Sequence, residues 1–360
     1  MSLVSIIIPT RNRAALLRQT IRSVLDQTWS ETEVIVVDEA SEDRTQAVLS
    51  QFADDIRVIH HETPQGPSAA RNIGVDKSSG EYVIFLDDDD LLHPHHIQEL
   101  MRFAEDLPEG HIAASGWRRF RVSGNSVEVG PVVRPPETWQ APEAISAIFG
   151  HDPGCLVWGP SALWPVEVFD EERWDQDLYN NEDVDFYSRI LMDRYKFSGT
   201  TAGMAYYRSH SGASMSETQS TRSLVSSAKC RLKHTRLLRG HPHRNEIAPA
   251  MRESLMRMLI KLEAQGGLSD WVTRIKDAYA NWGGDVYYLP QPPQHPIKRR
   301  FLKTALSFGG PEAAGLLLRS QSWIRRLVAH ESSEPEIMEY EPLMHQLTNA
   351  EATSADYTKG

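Results

Sequence analysis

The first ninety residues alternate between continuous apolar runs and segments whose apolar residues recur at helical spacing. Residues 2–9, 32–41 and 81–86 are rich in β-branched side chains, which is typical of strands buried on both faces of a sheet. Residues 13–27, between the first two runs, place leucine, isoleucine and valine on one helical face. The repeated order of strand, helix and strand predicts a parallel, doubly wound α/β sheet.

The pattern changes further along the chain. A strand is predicted near residues 111–122, and a helix with an acidic first turn at residues 180–193. Residues 123–142 are polar and contain several prolines, so we expect a loop there. Three further helices are predicted at residues 224–238, 247–264 and 269–282. The chain is therefore expected to have an α/β domain followed by a helical region.

The composition is that of a soluble protein. The chain has 360 residues, 40% hydrophobic and 24% charged, with a net charge of −11. That charge argues against a sequence-independent nucleic-acid binder, which needs a basic excess. The two cysteines provide no disulfide framework, the first residues resemble a strand more than a signal peptide, and no apolar run is long enough to span a membrane. We therefore expect a cytoplasmic protein.

The C-terminal third leaves alternatives open. Basic amphipathic segments at residues 298–306 and 312–330 suit a peripheral contact with the inner face of the membrane, and suit a homo-oligomer interface equally well. The last thirty residues hold seven acidic residues and one lysine. This composition predicts a disordered tail.

Acidic residues follow two of the predicted strands directly. Asp38 and Glu39 end the second strand, and residues 87–90 are four consecutive aspartates behind another. Ligands of such sheets bind at the carboxyl ends of the strands. On an extended chain Asp87 and Asp89 would point the same way and Asp88 would face away. Hard carboxylate ligands suit Mg²⁺ or Mn²⁺ bound with a diphosphate. The simpler alternative is a solvated loop or a cap for the following helix.

Five motifs occur in a fixed order: SIIIPTRNR, SVLDQTW, EVIVVDEASEDRT, GPSAARNIG and GEYVIFLDDDD. Together they resemble the donor-binding half of family 2 glycosyltransferases, closely over residues 2–92 and more loosely over residues 158–216. The resemblance implies the GT-A fold, a Rossmann-like mixed sheet flanked by helices. The expected domains are a catalytic domain at residues 1–220, divided at residue 110 into nucleotide-sugar and acceptor halves, then a helical region at 221–330 and the tail at 331–360.

The resemblance also implies roles for single residues. Asp38 and Glu39 match the positions that contact the base, although the family has aspartate where this chain has Glu39. The metal, Mn²⁺ or Mg²⁺, is expected on Asp89, with His210 as a second ligand; the alternative for His210 is a structural hydrogen-bonding role. The full set of donor-binding positions is Pro9, Thr10, Arg11, Arg13, Asp38, Glu39, Arg71, Asp87 and Asp88.

The sequence NNEDVDF matches the family motif that carries the catalytic base. Asp183 is then expected to deprotonate the acceptor hydroxyl as its oxygen attacks the anomeric carbon. Glu182 is its neighbour at the site, and Asp185 is expected on the helix surface. The alternative is that these acids only complement the helix dipole. Trp158, Trp164 and Trp174 are candidates for a sugar platform, although a core role is favoured for each.

The expected function is metal-dependent, inverting transfer of a sugar from a nucleotide-diphospho-sugar, most simply a UDP-sugar, to a hydroxyl of a glycan, lipid-linked or other acceptor. Such a reaction belongs to polysaccharide or glycoconjugate synthesis. One alternative is a sugar-phosphate nucleotidyltransferase, but the residues after the first strand, PTRNRAALL, lack the glycine-rich loop of those enzymes. The other is a non-catalytic sugar-binding or scaffold protein with the same fold.

Overall fold

The computed structural model describes residues 1–150, 157–209, 220–284 and 338–355, with side chains up to residue 348. Within these residues a ten-stranded mixed sheet has the strand order β3-β2-β1-β4-β9-β6-β10-β5, with β7 paired to β6 and β8 to β10. The mixed sheet and its flanking helices confirm the predicted fold class. No described helix is both long and apolar enough to cross a membrane.

The first half of the sheet is the parallel part. Its strands are β1 (Val4–Thr10), β2 (Thr32–Glu39), β3 (Arg57–His61) and β4 (Tyr82–Phe85). The helices that connect them are α1 (Ala14–Leu25), α2 (Thr45–Leu49) and α3 (Pro67–Lys77). Since β1 pairs in parallel with both β2 and β4, the loops that follow these strands meet at one edge of the sheet.

The second half of the sheet mixes strand directions. Its strands are β5 (Leu91–Leu92), β6 (His111–Ser123), β7 (Ser126–Val133), β8 (Thr138–Trp139), β9 (Ala162–Pro165) and β10 (Lys196–Arg208). Its helices are α4 (His96–Ala104), α5 (Glu143–Gly150), α6 (Val168–Glu171) and α7 (Glu182–Met192). Strand β9 runs antiparallel between β4 and β6, and so joins the two halves.

The prediction of a loop at residues 123–142 is wrong, because β7 and β8 lie there. The two-residue turn Gly124 and Asn125 connects β6 to β7, and Ser123 pairs with Ser126 across it. Gly124 has a φ of 57°, the positive value that such tight hairpin turns require. The Gly-Asn pair was therefore the signal for a hairpin in this polar segment.

The C-terminal helices α8 (Thr221–Leu237), α9 (Arg244–Gln265) and α10 (Ser269–Asn281) pack onto the sheet domain. One hydrophobic cluster contains Phe85 of β4, Trp164 of β9 and Leu255 of α9. The domain boundary at residue 220 stays a prediction, and the described helices beyond it share a core with the sheet. The basic segments after residue 290 lie outside the described residues.

The prediction of a disordered tail is wrong for residues 338–348, which we call the docked segment. It contains the start of the last helix, α11 (Tyr340–Ala355). Its apolar side chains pack with Leu91, Phe120 and Tyr206 of the sheet. The buried side chains are Met338, Tyr340, Leu343, Met344 and Leu347. Four of these recur at spacings of three and four, so the acidic composition concealed an amphipathic pattern.

Candidate active site

Residues 87–90, which follow β4, form a compact turn that we call the aspartate turn. The Asp90 N–H donates to the Asp87 carbonyl at 3.1 Å. Because the chain folds back here, the expectation that Asp88 faces away from its neighbours is wrong. Asp88 Oδ2 accepts a hydrogen bond from the Thr10 hydroxyl at 2.7 Å, and the Arg13 guanidinium lies 4.0 Å from Asp88 and 3.8 Å from Asp89.

Three arginines from different elements surround the aspartate turn. Arg13 faces Asp88 and Asp89, and Arg71 Nη2 of α3 donates to Asp87 Oδ1 at 2.9 Å. Arg208 of β10 holds the turn twice: its backbone N–H donates to the Asp90 carboxylate and its Nε donates to the Asp89 carbonyl, both at 2.7 Å. These cations allow four acidic side chains to follow a buried strand.

The three arginines do not cancel the charge completely. Burial, together with the charge of Asp89, raises the pKa of Asp88 to about 7, and the same two causes raise the pKa of Asp90 well above its usual value. The second oxygen of Asp90 is buried, and no described residue donates a hydrogen bond to it. A raised carboxyl pKa means that the surroundings disfavour the ionised form, and a nearby positive charge would favour that form again.

Carboxylate oxygens are the ligands that Mg²⁺ and Mn²⁺ prefer, so the aspartate turn fits the divalent ion that the resemblance implies. Asp89, expected to be a metal ligand, is part of this turn. His210, expected to be the second ligand, lies outside the described residues.

The loop after β1 carries the expected nucleotide-binding positions. Pro9 pairs with Val37 inside the sheet, and Thr10, Arg11 and Arg13 all point toward Asp88 through their side chains or backbone. Asn12, which sequence reasoning missed, fixes this loop. Its backbone adopts a positive φ of 54°.

Asn12 connects the first loop to the loop after β2. Its N–H donates to Ser41 Oγ at 2.9 Å, and its side-chain oxygen accepts the Glu42 N–H at 2.8 Å. The two loops at this edge of the sheet therefore form one connected unit. Asparagine adopts a left-handed backbone more readily than most residues, so the presence of Asn12 was the sequence signal for a fixed turn in this loop.

Asp38 and Glu39 are both buried at the end of β2. Asp38 accepts the Ser41 N–H at 3.1 Å and lies 3.2 Å from His60 Nδ1. Glu39 accepts the N–H groups of Gln65 and Gly66, at 2.5 and 2.6 Å, just before α3 begins. Both carboxylates therefore hold loops of the donor half in place, and their contact with a base stays a prediction.

Arg71 connects the two halves of the site. Besides Asp87, it binds Glu182 at the start of α7, with Nη1 3.3 Å from Oε1. Its guanidinium lies over the ring of Trp174, 4.6 Å from the centroid. The next residue, Asn72, exchanges two hydrogen bonds with the Trp174 backbone, at 2.9 and 3.0 Å. The sequence AARN thus joins the aspartate turn to the acceptor half.

Glu182 and Asp183 open α7 beside Arg71. Burial raises the pKa of Glu182 to about 7 against the opposing charge of Arg71. Asp183 is exposed to solvent, yet desolvation by the surrounding protein still raises the pKa of its carboxyl. The role of Asp183 as the base stays a prediction.

Helix α8 holds the loop before Glu182, a role that sequence reasoning missed. The Ser226 hydroxyl accepts the N–H groups of Tyr179 and Asn180, at 2.8 and 3.1 Å, and donates to the Asn180 carbonyl at 2.9 Å. Arg231 donates to Asn181 Oδ1 at 3.1 Å. Asn181 has a left-handed φ of 61°, so this bond fixes the turn from which α7 starts.

The expectation that Asp185 lies on the helix surface is wrong, because it is fully buried. It accepts hydrogen bonds from Arg189 at 2.9 Å and from Lys233 of α8 at 3.0 Å. On a helix, an acid four residues before an arginine favours a bond such as that between Asp185 and Arg189. The bond from Lys233 depends on tertiary packing.

Asp185, Cys230 and His234 are the one group of three metal-ligating side chains that the described residues bring together. Lys233 and Arg189 already neutralise Asp185, and His234 Nδ1 donates to the Cys230 carbonyl at 2.9 Å. Burial raises the pKa of the Cys230 thiol to about 12. Asp185 and His234 are thus already engaged by protein partners, and the cluster joins α7 and α8 through buried polar contacts.

The three candidate tryptophans differ in burial. Trp164 and Trp174 are buried in the core. Trp158 is half-buried, and its ring centroid lies 5.1 Å from that of Tyr207, the residue before Arg208 in β10. A sugar-platform role therefore remains a prediction for Trp158 alone.

Comparison with known proteins agrees with this geometry. Residues 5–144 match the sequence model of Glycosyl transferase family 2. An uncharacterised glycosyltransferase of Haemophilus influenzae is 36% identical over 106 residues, covering 29% of this chain and 42% of the relative. The GalNAc(5)-diNAcBac-PP-undecaprenol β-1,3-glucosyltransferase of Campylobacter jejuni is 40% identical over 106 residues, covering 28% and 34%. The match thus spans less than half of either relative.

Among solved structures, S. aureus TarS 1–349 in complex with UDP-GlcNAc has the same fold. It superposes with a TM-score of 0.57 at 16% identity, covering 94% of this chain and 97% of that one. Residues 5–144 thus match glycosyltransferase family 2, and the described fold is the GT-A fold that TarS also has.

Proposed function

We propose that the protein transfers a sugar from a nucleotide-diphospho-sugar to an acceptor hydroxyl with inversion at the anomeric carbon. The observation that carries this proposal is the bridge made by Arg71, which binds Asp87 of the aspartate turn and Glu182 beside Asp183. Through it, the aspartate turn is joined to the start of α7, which carries the candidate base.

In the proposed reaction Asp183 takes the proton of the acceptor hydroxyl. The freed oxygen attacks the anomeric carbon as the bond to the diphosphate breaks, so the sugar is transferred in one displacement. The raised pKa of Asp183 brings this carboxyl closer to the range in which a general base is effective. Asp183 is exposed to solvent, so an acceptor can approach its side chain.

The chain's own cations would hold the donor. Arg13 and Arg71 line the aspartate turn from two sides, where a diphosphate can be bound by charge. When bound at Asp89, Mn²⁺ or Mg²⁺ would supply the positive charge that stabilises the leaving diphosphate. The raised pKa values of Asp88 and Asp90 support a need for that charge.

We propose UDP as the carrier, because TarS, which has the same fold, was solved with UDP and with UDP-GlcNAc. The acceptor is a glycan hydroxyl, and a lipid-linked glycan is one form of it, as the name of the Campylobacter jejuni relative states for that protein. Use of such an acceptor would place the enzyme at the inner face of the membrane.

A panel of nucleotide sugars tests the proposal. The purified protein with Mn²⁺ is incubated with UDP-, GDP- and dTDP-sugars, and release of the free nucleotide is measured with and without metal chelation. We expect metal-dependent release from at least one UDP-sugar. Binding of UDP with no release from any donor, in the presence of acceptor glycans, would instead favour a non-catalytic sugar-binding protein.

A further inference from the structure

The aspartate turn has a second support that the proposed reaction does not use. Arg208, which holds Asp89 and Asp90, is itself buried. Its Nη2 donates to Gln19 Oε1 of α1 at 2.6 Å, and its guanidinium lies 4.6 Å from the Phe120 ring centroid. The position of this arginine therefore depends on Gln19.

Gln19 is a buried polar side chain whose amide oxygen and amide nitrogen each form a hydrogen bond. Its oxygen accepts from Arg208, and its Nε2 donates to the backbone carbonyl of Met338. Only the amide orientation with oxygen toward the arginine satisfies both contacts, because an arginine can donate but not accept. A single side chain thus connects Arg208 with the first residue of the docked segment.

The docked segment is fixed independently of Gln19. Leu343 and Leu347 are fully buried against the sheet, and Gln346 Oε1 accepts the Val127 N–H of β7 at 2.9 Å. The Met338 carbonyl is therefore presented at a defined place. If the segment leaves, the Gln19 amide loses its acceptor in a buried position, which is costly for a polar group.

We propose that the docked segment, although it lies far along the chain from the donor half, is a positioning element of the donor site, and that Gln19 is the positioning residue that carries its effect. Docking places the Met338 carbonyl, and this carbonyl orients Gln19. Gln19 in turn orients Arg208, and Arg208 holds the aspartate turn in the shape that binds metal and diphosphate. The inference rests on the proposed function in assigning the turn to donor binding.

Two variants and one matched control test this relay. Gln19→Met keeps the size of the side chain and removes both hydrogen bonds, and Gln19→Asn keeps the amide but is too short to reach both partners. The control is Arg22→Ala, one turn further along α1. Arg22 also contacts α11, through Glu341 at 3.1 Å, but this ion pair is exposed and has no connection to Arg208.

Hydrogen exchange of residues 86–92 and calorimetric binding of UDP with Mn²⁺ are the readouts. In Gln19→Met we expect exchange in this stretch to be faster, and UDP affinity weaker, by about tenfold each, as for loss of a hydrogen bond to a charged group. Gln19→Asn should change both in the same direction by less, and so provides the test if Gln19→Met does not fold. Arg22→Ala should match the wild type.

Unchanged exchange in a folded Gln19 variant, or an equal change in Arg22→Ala, would overturn the relay. Normal UDP affinity in a variant whose turn exchanges faster would overturn the link to donor binding. If the wild type binds no UDP at all, the proposed function fails, and hydrogen exchange alone still decides whether Gln19 orders the turn.

Discussion

Arg71 and Glu182 are 111 positions apart in the chain, and Arg71 Nη1 lies 3.3 Å from Glu182 Oε1. Because Arg71 also binds Asp87, one buried guanidinium sets the distance between the proposed donor and acceptor sides. The predictions below start from this contact.

Arg71→Lys keeps the positive charge but loses the fork that reaches two carboxylates at once. We expect kcat/KM for the donor to fall by about 10²-fold, because reacting groups that are slightly misplaced lose much of their rate. Arg173→Lys is the matched control, since Arg173 also joins α3 to the Trp174 segment, through Asp76 at 2.9 Å, but at the exposed surface. Steady-state kinetics of both variants check this, and equal losses would contradict it.

The dependence of activity on pH should respond to the charge of Arg71. Burial raises the pKa values of Asp183 and Glu182, and Arg71 opposes that rise. A base acts only when deprotonated, so activity is lost as the pH falls through the pKa of Asp183. Arg71→Gln removes the opposing charge, and the acid limb of kcat/KM should move to higher pH. A pH profile of the residual activity, with Arg173→Gln as control, measures the shift; an unmoved limb argues against Asp183 as the base.

Arg231 should act on catalysis without touching the substrate. Its bond to Asn181 fixes the turn before Glu182 and Asp183, so Arg231→Met should lower kcat by about tenfold or more and leave the affinity for UDP nearly unchanged. Arg236→Met, an exposed arginine on the same helix, should have no effect. The comparison needs kcat from turnover and UDP affinity from calorimetry. A variant that loses UDP binding in proportion to kcat would show a general structural role instead.

Docking of α11 should contribute to stability. Leu343 is fully buried between α11 and the sheet, and Leu343→Ala should lower the free energy of unfolding by about 2–4 kcal/mol. Leu237→Ala is the control, since that leucine is 47% exposed and its loss should change the free energy by less than about 0.5 kcal/mol. Denaturant titration of the two variants measures both changes in the free energy of unfolding. Equal stabilities would mean that the tail does not dock in solution.

Much of the fold was predictable because its signals are local. The β-branched runs of β1, β2 and β4 and the helical spacing of α1 come from residues close in sequence, and the parallel order follows from their alternation. The hairpin of β6 and β7 was missed because proline and polar residues hid a Gly-Asn turn. The docked segment was missed because composition was given more weight than spacing.

The candidate site was likewise predictable only where its signals are local. Strand ends and ordered motifs pointed to residues 87–90 and Asp183 as candidates, but alternation along an extended chain could not show that residues 87–90 fold into a turn. The partners of that turn, Arg13, Arg71 and Arg208, come from three distant elements. Likewise, no local pattern predicts that Ser226 and Arg231 hold the loop before α7, since those contacts exist only after packing.

The central claim is that Asp183 is the base of a transferase whose donor site is the aspartate turn. Asp183→Asn keeps the shape of the side chain and removes its ability to take a proton, whereas Asp170→Asn makes the same change at an exposed position of α6. The most direct measurement is sugar transfer by both variants, alongside UDP and Mn²⁺ binding. We predict that Asp183→Asn binds UDP and Mn²⁺ like the wild type and transfers no sugar, while Asp170→Asn is fully active. Transfer by Asp183→Asn at the wild-type rate would contradict the account.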